Sequence, residues 1–472
     1  MSEHVGREAG EIAALPAGVT VDLQGDTSMR RLHPLTPVLR SWVVLAAGIG
    51  FLSTQLTNIV QGEVFGFDDG GGGGGLSIPV WAVLFGGALI AALAYGYLYW
   101  RFTKYGIQGE VLRIDTGVLF RQSRQVALDR LQAVDIVRPL VARLAGVAEL
   151  RLEVAGGGSS EAPLAYLSLP HAHQLRAELL ARAAGLDAAT PEAPERPLVR
   201  VPTGQLLLAS LLSGSTITLL VFGVAVAITI TVTGQAEFVV PFIPALFGTA
   251  IATVRRFVVN YAFTVAESPD GLRIRKGLLD TRSQTVPPGR VQAARVTHPF
   301  LWRPAGLVRV DLNVAGYASA NDNENEKTSV LLPVGPADVA YDLLHRVLPG
   351  LDLAGSAPEP APRRARGLRP VGWRRLRAGA QATFFVAEEG WLGRHVVVMP
   401  HAKPQSMRLT QGPAQRRLQL ATVHLDSTSG PVAVAAVHRD QYAARVMLDA
   451  EIELERAARV AAAPDRWALP AE

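Results

Sequence analysis

A charge-free stretch near the middle of the chain constrains the fold most. Leu206–Val232 is apolar apart from Ser, Thr and Gly, and Phe238–Val254 is a second apolar run. Only Gly234, Gln235 and Glu237 interrupt them, and neither run holds Asp, Glu, Lys or Arg. A helix needs about 20 apolar residues to cross a bilayer. In lipid it satisfies its own backbone, so two runs with a short polar turn read as a membrane hairpin. Buried helices of a soluble core are the alternative, but such helices seldom run this long without charge.

A second hairpin precedes it. Ser41–Val60 and Ser77–Trp100 are apolar, with Trp42 and the cluster Tyr95, Tyr97, Tyr99 and Trp100 at their edges, where amphipathic rings prefer to sit. The loop between them holds Glu63, Asp68, Asp69 and a six-glycine run, which is flexible-linker chemistry. Arg30, Arg31, Arg40, Arg101 and Lys104 flank the first hairpin, and Arg196, Arg200, Arg255 and Arg256 the second. Neither connecting loop carries Lys or Arg. The positive-inside rule then puts both loops outside, and both termini and all other domains in the cytoplasm of a multi-pass plasma-membrane protein.

The segment behind each hairpin is repeated. Leu112-Arg-Ile-Asp-Thr-Gly117-Val-Leu119 aligns with Leu272-Arg-Ile-Arg-Lys-Gly277-Leu-Leu279. The same offset holds without a gap through Arg130/Arg290, Gln132/Gln292, Pro139/Pro299, Arg143/Arg303 and Gly146/Gly306. Roughly 18 of 45 positions are identical, so hairpin plus domain is a duplicated unit. Short runs rich in Val, Ile and Leu read as strands, and an apolar helix closes each unit (about 170–184 and 336–347). Beyond a Pro- and Arg-rich stretch, Thr383–Ala387, His395–Met399, Leu418–Asp426 and Val432–Val437 read as strands before a long helix. Gln405, Pro413 and Arg417-Leu418 echo Gln132, Pro139 and Arg143-Leu144 with one gap, which marks a third copy without a hairpin.

Composition agrees with a membrane protein. Only 18% of residues are charged, against about 25% in soluble domains. The net charge of +5 suits an anionic leaflet better than nucleic acid, because the Arg residues are scattered. The absence of cysteine excludes disulfides and thiolate metal sites. The first apolar run begins near Ser41, so no cleavable signal peptide is expected.

Arg130-Leu-Gln132 and Arg290-Val-Gln292, each behind a hairpin and ahead of a glycine-containing strand segment, resemble the bacterial pleckstrin-homology (PH)-like membrane proteins of the YdbS/YdbT type. Lys403-Pro-Gln405 departs from the motif. The resemblance covers 39–350 well and 380–460 weakly. It implies PH-like domains, each a seven-stranded bent sheet or partly open barrel with a C-terminal helix. The chain is therefore expected to be a multi-domain membrane protein with two transmembrane hairpins (four spans) and three such domains. The expected division is a polar lead (1–40), hairpin 1 (41–100), domain 1 (101–186), linker (187–205), hairpin 2 (206–254), domain 2 (255–350), a Pro/Arg-rich linker (351–379) and domain 3 (380–465).

Candidate chemistry is sparse. Arg363, Arg364, Arg366, Arg369, Arg374, Arg375 and Arg377 form a run without an acid, around Trp373. It is expected to lie on lipid or a partner, or else to be a solvated linker. Arg130, Gln132, Arg290, Gln292 and Gln405 are expected to be structural, satisfying loop carbonyls. Asn321–Glu326 lacks the later Gly and Glu of a calcium loop. His171 and His173 stand two apart, which does not suit one helical face. Ser210, Ser213, Ser215 and Thr216 read as helix–helix contacts. No hydrolase, metalloprotease or phosphate-loop motif occurs, and no charge interrupts a span, which disfavours a pump. The expected function is non-enzymatic, with no cofactor. The domains would act as interaction and assembly modules at the inner leaflet. The expected partners are the bilayer and either further copies or a second membrane protein of the same family, and not nucleic acid. Alternatives are an accessory subunit of an envelope-stress, export or antimicrobial-resistance system, or an anionic-lipid scaffold.

Overall fold

The computed structural model describes residues 29–39, 78–117, 121–154, 161–183, 195–234, 243–268, 271–287, 289–315, 329–353, 355 and 357–461. Unit one comprises β1 (Arg30–Arg31), α1 (Ile78–Phe102), β2 (Lys104–Gln108), β3 (Val111–Thr116), β4 (Gln122–Ala127), β5 (Leu131–Arg138), α2 (Leu140–Leu144), β6 (Val147–Val154), β7 (Glu161–Ser168) and α3 (Leu169–Ala183). Unit two continues with β8 (Arg196–Arg200), α4 (Thr203–Leu211), α5 (Gly214–Thr233), α6 (Ile243–Val259), β9 (Thr264–Ser268), β10 (Gly271–Lys276), β11 (Thr281–Val286), β12 (Val291–Pro299), β13 (Leu307–Val314), β14 (Ser329–Pro336) and α7 (Ala337–Val347). Unit three has β15 (Glu359–Pro360), β16 (Arg377–Ala380), β17 (Phe384–Glu389), β18 (Gly393–Pro400), β19 (Ser406–Thr410), α8 (Pro413–Arg417), β20 (Leu420–Asp426), β21 (Val434–Asp440) and α9 (Gln441–Ala461). Each unit is thus four strands, three strands and a helix.

The sheets do not respect these units. The order β7-β6-β5-β11-β10-β9-β8 joins the last three strands of unit one to the first four of unit two. The order β14-β13-β12-β18-β17-β16-β15 does the same for units two and three. Arg138 faces Thr281 at the first junction, and six pairs from Ala294↔Val398 to Pro299↔Gly393 form the second. The free ends are the sheets β1-β2-β3-β4 and β19-β20-β21. Because side chains alternate along a strand, β17 and β18 serve two cores. Val386, Val396 and Val398 sit in the apolar cluster of unit two, and Phe385, Ala387, Val397 and Met399 in that of unit three. This is why Val396–Met399 is an unbroken apolar run: both faces are buried.

Several expected boundaries move. Arg30–Arg31 is not lead but an edge strand, paired with Tyr105 and Lys104. Likewise β8 begins inside the expected linker 187–205. The apolar helices α1 and α4–α6 are therefore inserted between the first and second strands of their domains. The linker expected over 351–379 holds β15, two short turns (Arg363–Gly367 and Trp373–Arg375) and the start of β16. It occupies, in unit three, the place of the hairpin. The gap in the third alignment also closes, since Gln405 and Gln419 lie at one common offset from Gln132 and Gly146. Gly146, Gly306 and Gln419 all take positive φ after the short helical turn.

The central hairpin starts later than its sequence suggests. Leu206 and Ala209 of α4 are buried in the core of unit two. Ser213 then caps α5 by accepting from the Thr216 amide, and Gly234 ends it at φ 65°. Among the described residues, α5 alone meets the length and apolarity of a membrane span, and none of its residues is buried. Four spans are therefore not established. The first expected span, 41–60, lies outside the described residues. Thr218, Thr229, Thr231 and Thr233 donate to their own helix, so the apolar surface keeps no idle hydroxyl there. Of the serines and threonines expected to bridge helices, Ser215 accepts from Thr253 of α6 at 3.3 Å, and Thr216 donates to the Ser210 carbonyl of α4 at 2.8 Å.

Candidate functional site

The feet of the apolar helices are clamped to the sheets. Trp302, in the turn Phe300–Ala305, is buried and donates Nε1–H to the Leu212 carbonyl between α4 and α5 (3.2 Å). The Arg256 guanidinium lies over its ring at 5.6 Å. The amides of Gly277 and Leu278 donate to Tyr261 and Val258 at the end of α6 (2.8 and 2.9 Å). Gly277 has φ 113°, and a Cβ there would stand 1.9 Å from the Asp280 oxygen, so the β10–β11 turn requires glycine.

Between α6 and the sheet lies a cavity of about 450 Å³. Its lining includes Arg255, Arg256, Asn260, Lys276 and Arg309, and no acidic residue. Gly248 and Ile251, higher on the same helix, form its apolar end. Arg309 pairs with Asp311 at 2.8 Å, and Arg295 shares that carboxylate at 3.2 Å. Burial first, then the Arg282 and Arg309 guanidinium groups, push the Lys276 amine down to about 8, against the smaller pull of Asp135 and Asp311. A cationic floor below an apolar wall suits an anion carried on an apolar tail.

The arginine run of unit three divides into two sets. Arg364 pairs with Asp440 and donates to the Gln419 carbonyl. Arg369 reaches Glu389 at 3.5 Å, Arg375 donates to the Trp391 carbonyl at 3.0 Å, and Arg377 to the Pro358 carbonyl at 2.9 Å. The acids missing from the run come from elsewhere in the chain. Arg363, Arg366 and Arg374 are exposed, and Arg374 lies 5.7 Å over the Trp373 ring.

Beside them stands a surface that sequence reading missed. The β17–β18 turn presents Trp391 and Leu392, 56% and 59% exposed, next to Val371 and Phe300, 53% and 57% exposed. Arg303 contacts the Trp391 and Leu392 carbonyls (3.4 and 3.5 Å) and lies 5.9 Å over the Phe300 ring. Gly372, at φ 88°, brings the arginine run against Trp391. A signal existed in the sequence: Gly390-Trp-Leu392 is the third occurrence of Gly117-Val-Leu119 and Gly277-Leu-Leu279.

The Arg-x-Gln motif lies elsewhere. Gln132 and Gln292 stand where the β5–β6 and β12–β13 registers shift, at a bulge. Gln292 donates to the Arg290 carbonyl at 3.2 Å. Arg130 is exposed at the end of a short turn, and Gln405 uses its amide to bond the Asp426 carbonyl at 2.8 Å. His171 contacts the Tyr105 hydroxyl at 2.8 Å, and its pKa is lowered chiefly by burial. The acidic turn 321–326 lies outside the described residues.

Three helix-capped seven-strand units, two of them with apolar helices inserted after the first strand, define a tandem PH-like protein. The bacterial PH domain family matches residues 50–183, 206–350 and 354–461, and the chain belongs to that family. It is similar to the UPF0699 transmembrane protein YdbT of Bacillus subtilis (strain 168), with 24% identity over 303 residues. That match covers 56% of this chain and 58% of the relative, so the chain spans under two thirds of the relative's length.

Proposed function

We propose that the chain is an integral plasma-membrane protein with two hairpins and four spans, its termini and three PH-like domains in the cytoplasm. There the domains serve as non-catalytic interaction and assembly modules against the anionic inner leaflet, with further copies or a second protein of the family as partners. The charge-free α5, the basic feet of both hairpins and the transmembrane relative support this reading. The observation that carries it is the Trp302–Leu212 hydrogen bond. It ties the turn holding Phe300 and Arg303 to the foot of α5, and Arg303 in turn contacts the Trp391 carbonyl, which supports a reading in which Trp391 and Leu392 meet the headgroup layer. Amphipathic rings favour that layer, and each nearby arginine adds about 1 kcal/mol of attraction to an anionic surface.

The test uses full-length protein in nanodiscs of phosphatidylcholine with or without phosphatidylglycerol. Brominated acyl chains should quench a fluorescence component that W391F removes, and quenching should deepen with phosphatidylglycerol. A Trp391 signal identical in bilayers and in detergent overturns the leaflet contact. Single cysteines at Asp68 and Glu237 should label from outside intact cells, and one at Arg363 only after permeabilisation. The reverse pattern overturns the topology.

A further inference from the structure

Both junctions between units use one strand pairing. The fifth strand of a unit bonds the fourth strand of the next, as β5 bonds β11 and β12 bonds β18. The registers coincide as well. Thr281 faces Arg138 at the first junction, and Arg394 faces His298 at the second. His298 is the counterpart of Arg138 at the offset that relates Gln292 to Gln132. Arg394 is the counterpart of Thr281 at the offset that relates the turn glycines Gly390 and Gly277.

This leaves one fourth strand and one fifth strand over. β4 ends its sheet, and among the described residues its outer edge has no strand partner. β19 ends the sheet β19-β20-β21 in the same way. The two edges are complementary halves of a junction that the chain forms twice within itself. We propose that β19 of one copy pairs antiparallel with β4 of a second copy, repeating the internal junction head to tail.

The register comes from the repeat. Leu409 is the counterpart of Ile136, at the offset that relates Gln405 to Gln132. Ser123 is the counterpart of Ser283, which faces Ile136 in unit one. Leu409 therefore faces Ser123, and Thr410 faces Gln122. The same offset carries Ala133↔Glu153 onto Ser406↔Asp426, so β19 meets β20 as β5 meets β6. The helix packed on this sheet does not block the edge: α3 packs on β5 while β5 pairs with β11. The exposed residues of β4 from Gln122 to Gln125 are polar, which keeps an open edge soluble until its partner arrives. Such a contact is heterologous, so it closes into a ring or continues as an array.

This pairing deepens the assembly reading above and is independent of the leaflet contact, which fails or survives in the nanodisc assay alone. The native chain has no cysteine, so full-length protein carrying Leu409→Cys and protein carrying Ser123→Cys can be mixed in detergent and oxidised. The expected result is a crosslinked dimer only when both variants are present, and a ladder of higher species from the double variant. Strong dimerisation of Ser123→Cys alone indicates β4–β4 pairing and overturns the proposal. So does equal crosslinking of Leu409→Cys with Gln125→Cys, which breaks the register. A monomeric mass for the wild type in mild detergent, with no crosslink in the mixture, overturns it outright.

Discussion

Arg143 of unit one donates a hydrogen bond to the Leu278 carbonyl of unit two at 3.0 Å, and Arg303, its counterpart in the repeat, reaches Trp391 of unit three. One arginine thus holds the turn of the following domain at both junctions. Arg176 adds a buried bond across the first junction, to the Thr285 hydroxyl at 2.5 Å. Arg303→Ala should loosen the β17–β18 turn and speed amide exchange around Leu392 and Gly393. The stability cost should be about 1 kcal/mol, since the guanidinium is largely solvated. Exchange mass spectrometry checks both the place and the size.

The shared sheet predicts shared stability. Val398 is fully buried and belongs to unit three, yet packs in the core of unit two. Val398→Ala should cost about 2 kcal/mol. It should lower protection in β12 and β13 as well as in β17. Calorimetry should give one transition for units two and three; separate transitions would refute the coupling.

The two turn glycines should not tolerate a side chain. At Gly277 and Gly390 an added Cβ would stand 1.9 and 1.8 Å from the Asp280 and Gly393 carbonyl oxygens. Gly277→Ala should cost more than about 2 kcal/mol, since strained φ and a steric clash add. Gly223, within α5, meets nothing within 4 Å, and Gly223→Ala should be neutral or stabilising by about 0.5 kcal/mol. Thermal melts in one detergent compare them directly.

Asp311 restrains the cationic cavity. Its carboxylate is buried between Arg295 and Arg309. Asp311→Asn should destabilise unit two by about 2–3 kcal/mol, because two partly buried guanidinium groups lose their counter-charge. The same change should strengthen binding of short-chain phosphatidylglycerol, and Lys276→Gln should weaken it. Isothermal titration against phosphatidylcholine and inorganic phosphate separates lipid, zwitterion and free-anion binding.

Unit three should show a histidine-dependent pH profile. His401 and Glu451 are both buried, 2.5 Å apart, and His401 also contacts the Gln381 carbonyl at 2.8 Å. Burial lowers the His401 pKa, but the Glu451 and Gln381 acceptors outweigh it, and the net shift is upward. A raised folded pKa means that this stabilisation is complete below about pH 6.5, the unfolded value. It is lost as pH rises through the folded pKa. The urea midpoint of the transition shared by units two and three should fall across that window, and Glu451→Gln should flatten the fall.

Much was legible in the sequence. The charge-free run that becomes α5 and the tandem repeat are local or periodic patterns, and both map onto elements of the fold. The arginine run was legible as charge but not as structure, because Asp440 and Glu389, which engage Arg364 and Arg369, are remote in sequence. The Trp391 surface was missed because the third copy had diverged around its turn glycine.

The sequence by itself determined many of the core strands, that the central α5 is charge-free, and that one unit was copied; the edge strands β1, β8 and β15, each remote in sequence from its core strands, it did not. Alternation shows which face of a strand is buried, but backbone amides and carbonyls are alike in every strand and do not name a partner. Only the tertiary structure decided that β5 pairs with β11 and β12 with β18. That choice depends on closing two cores at once, with Val398 in one and Val397 in the other.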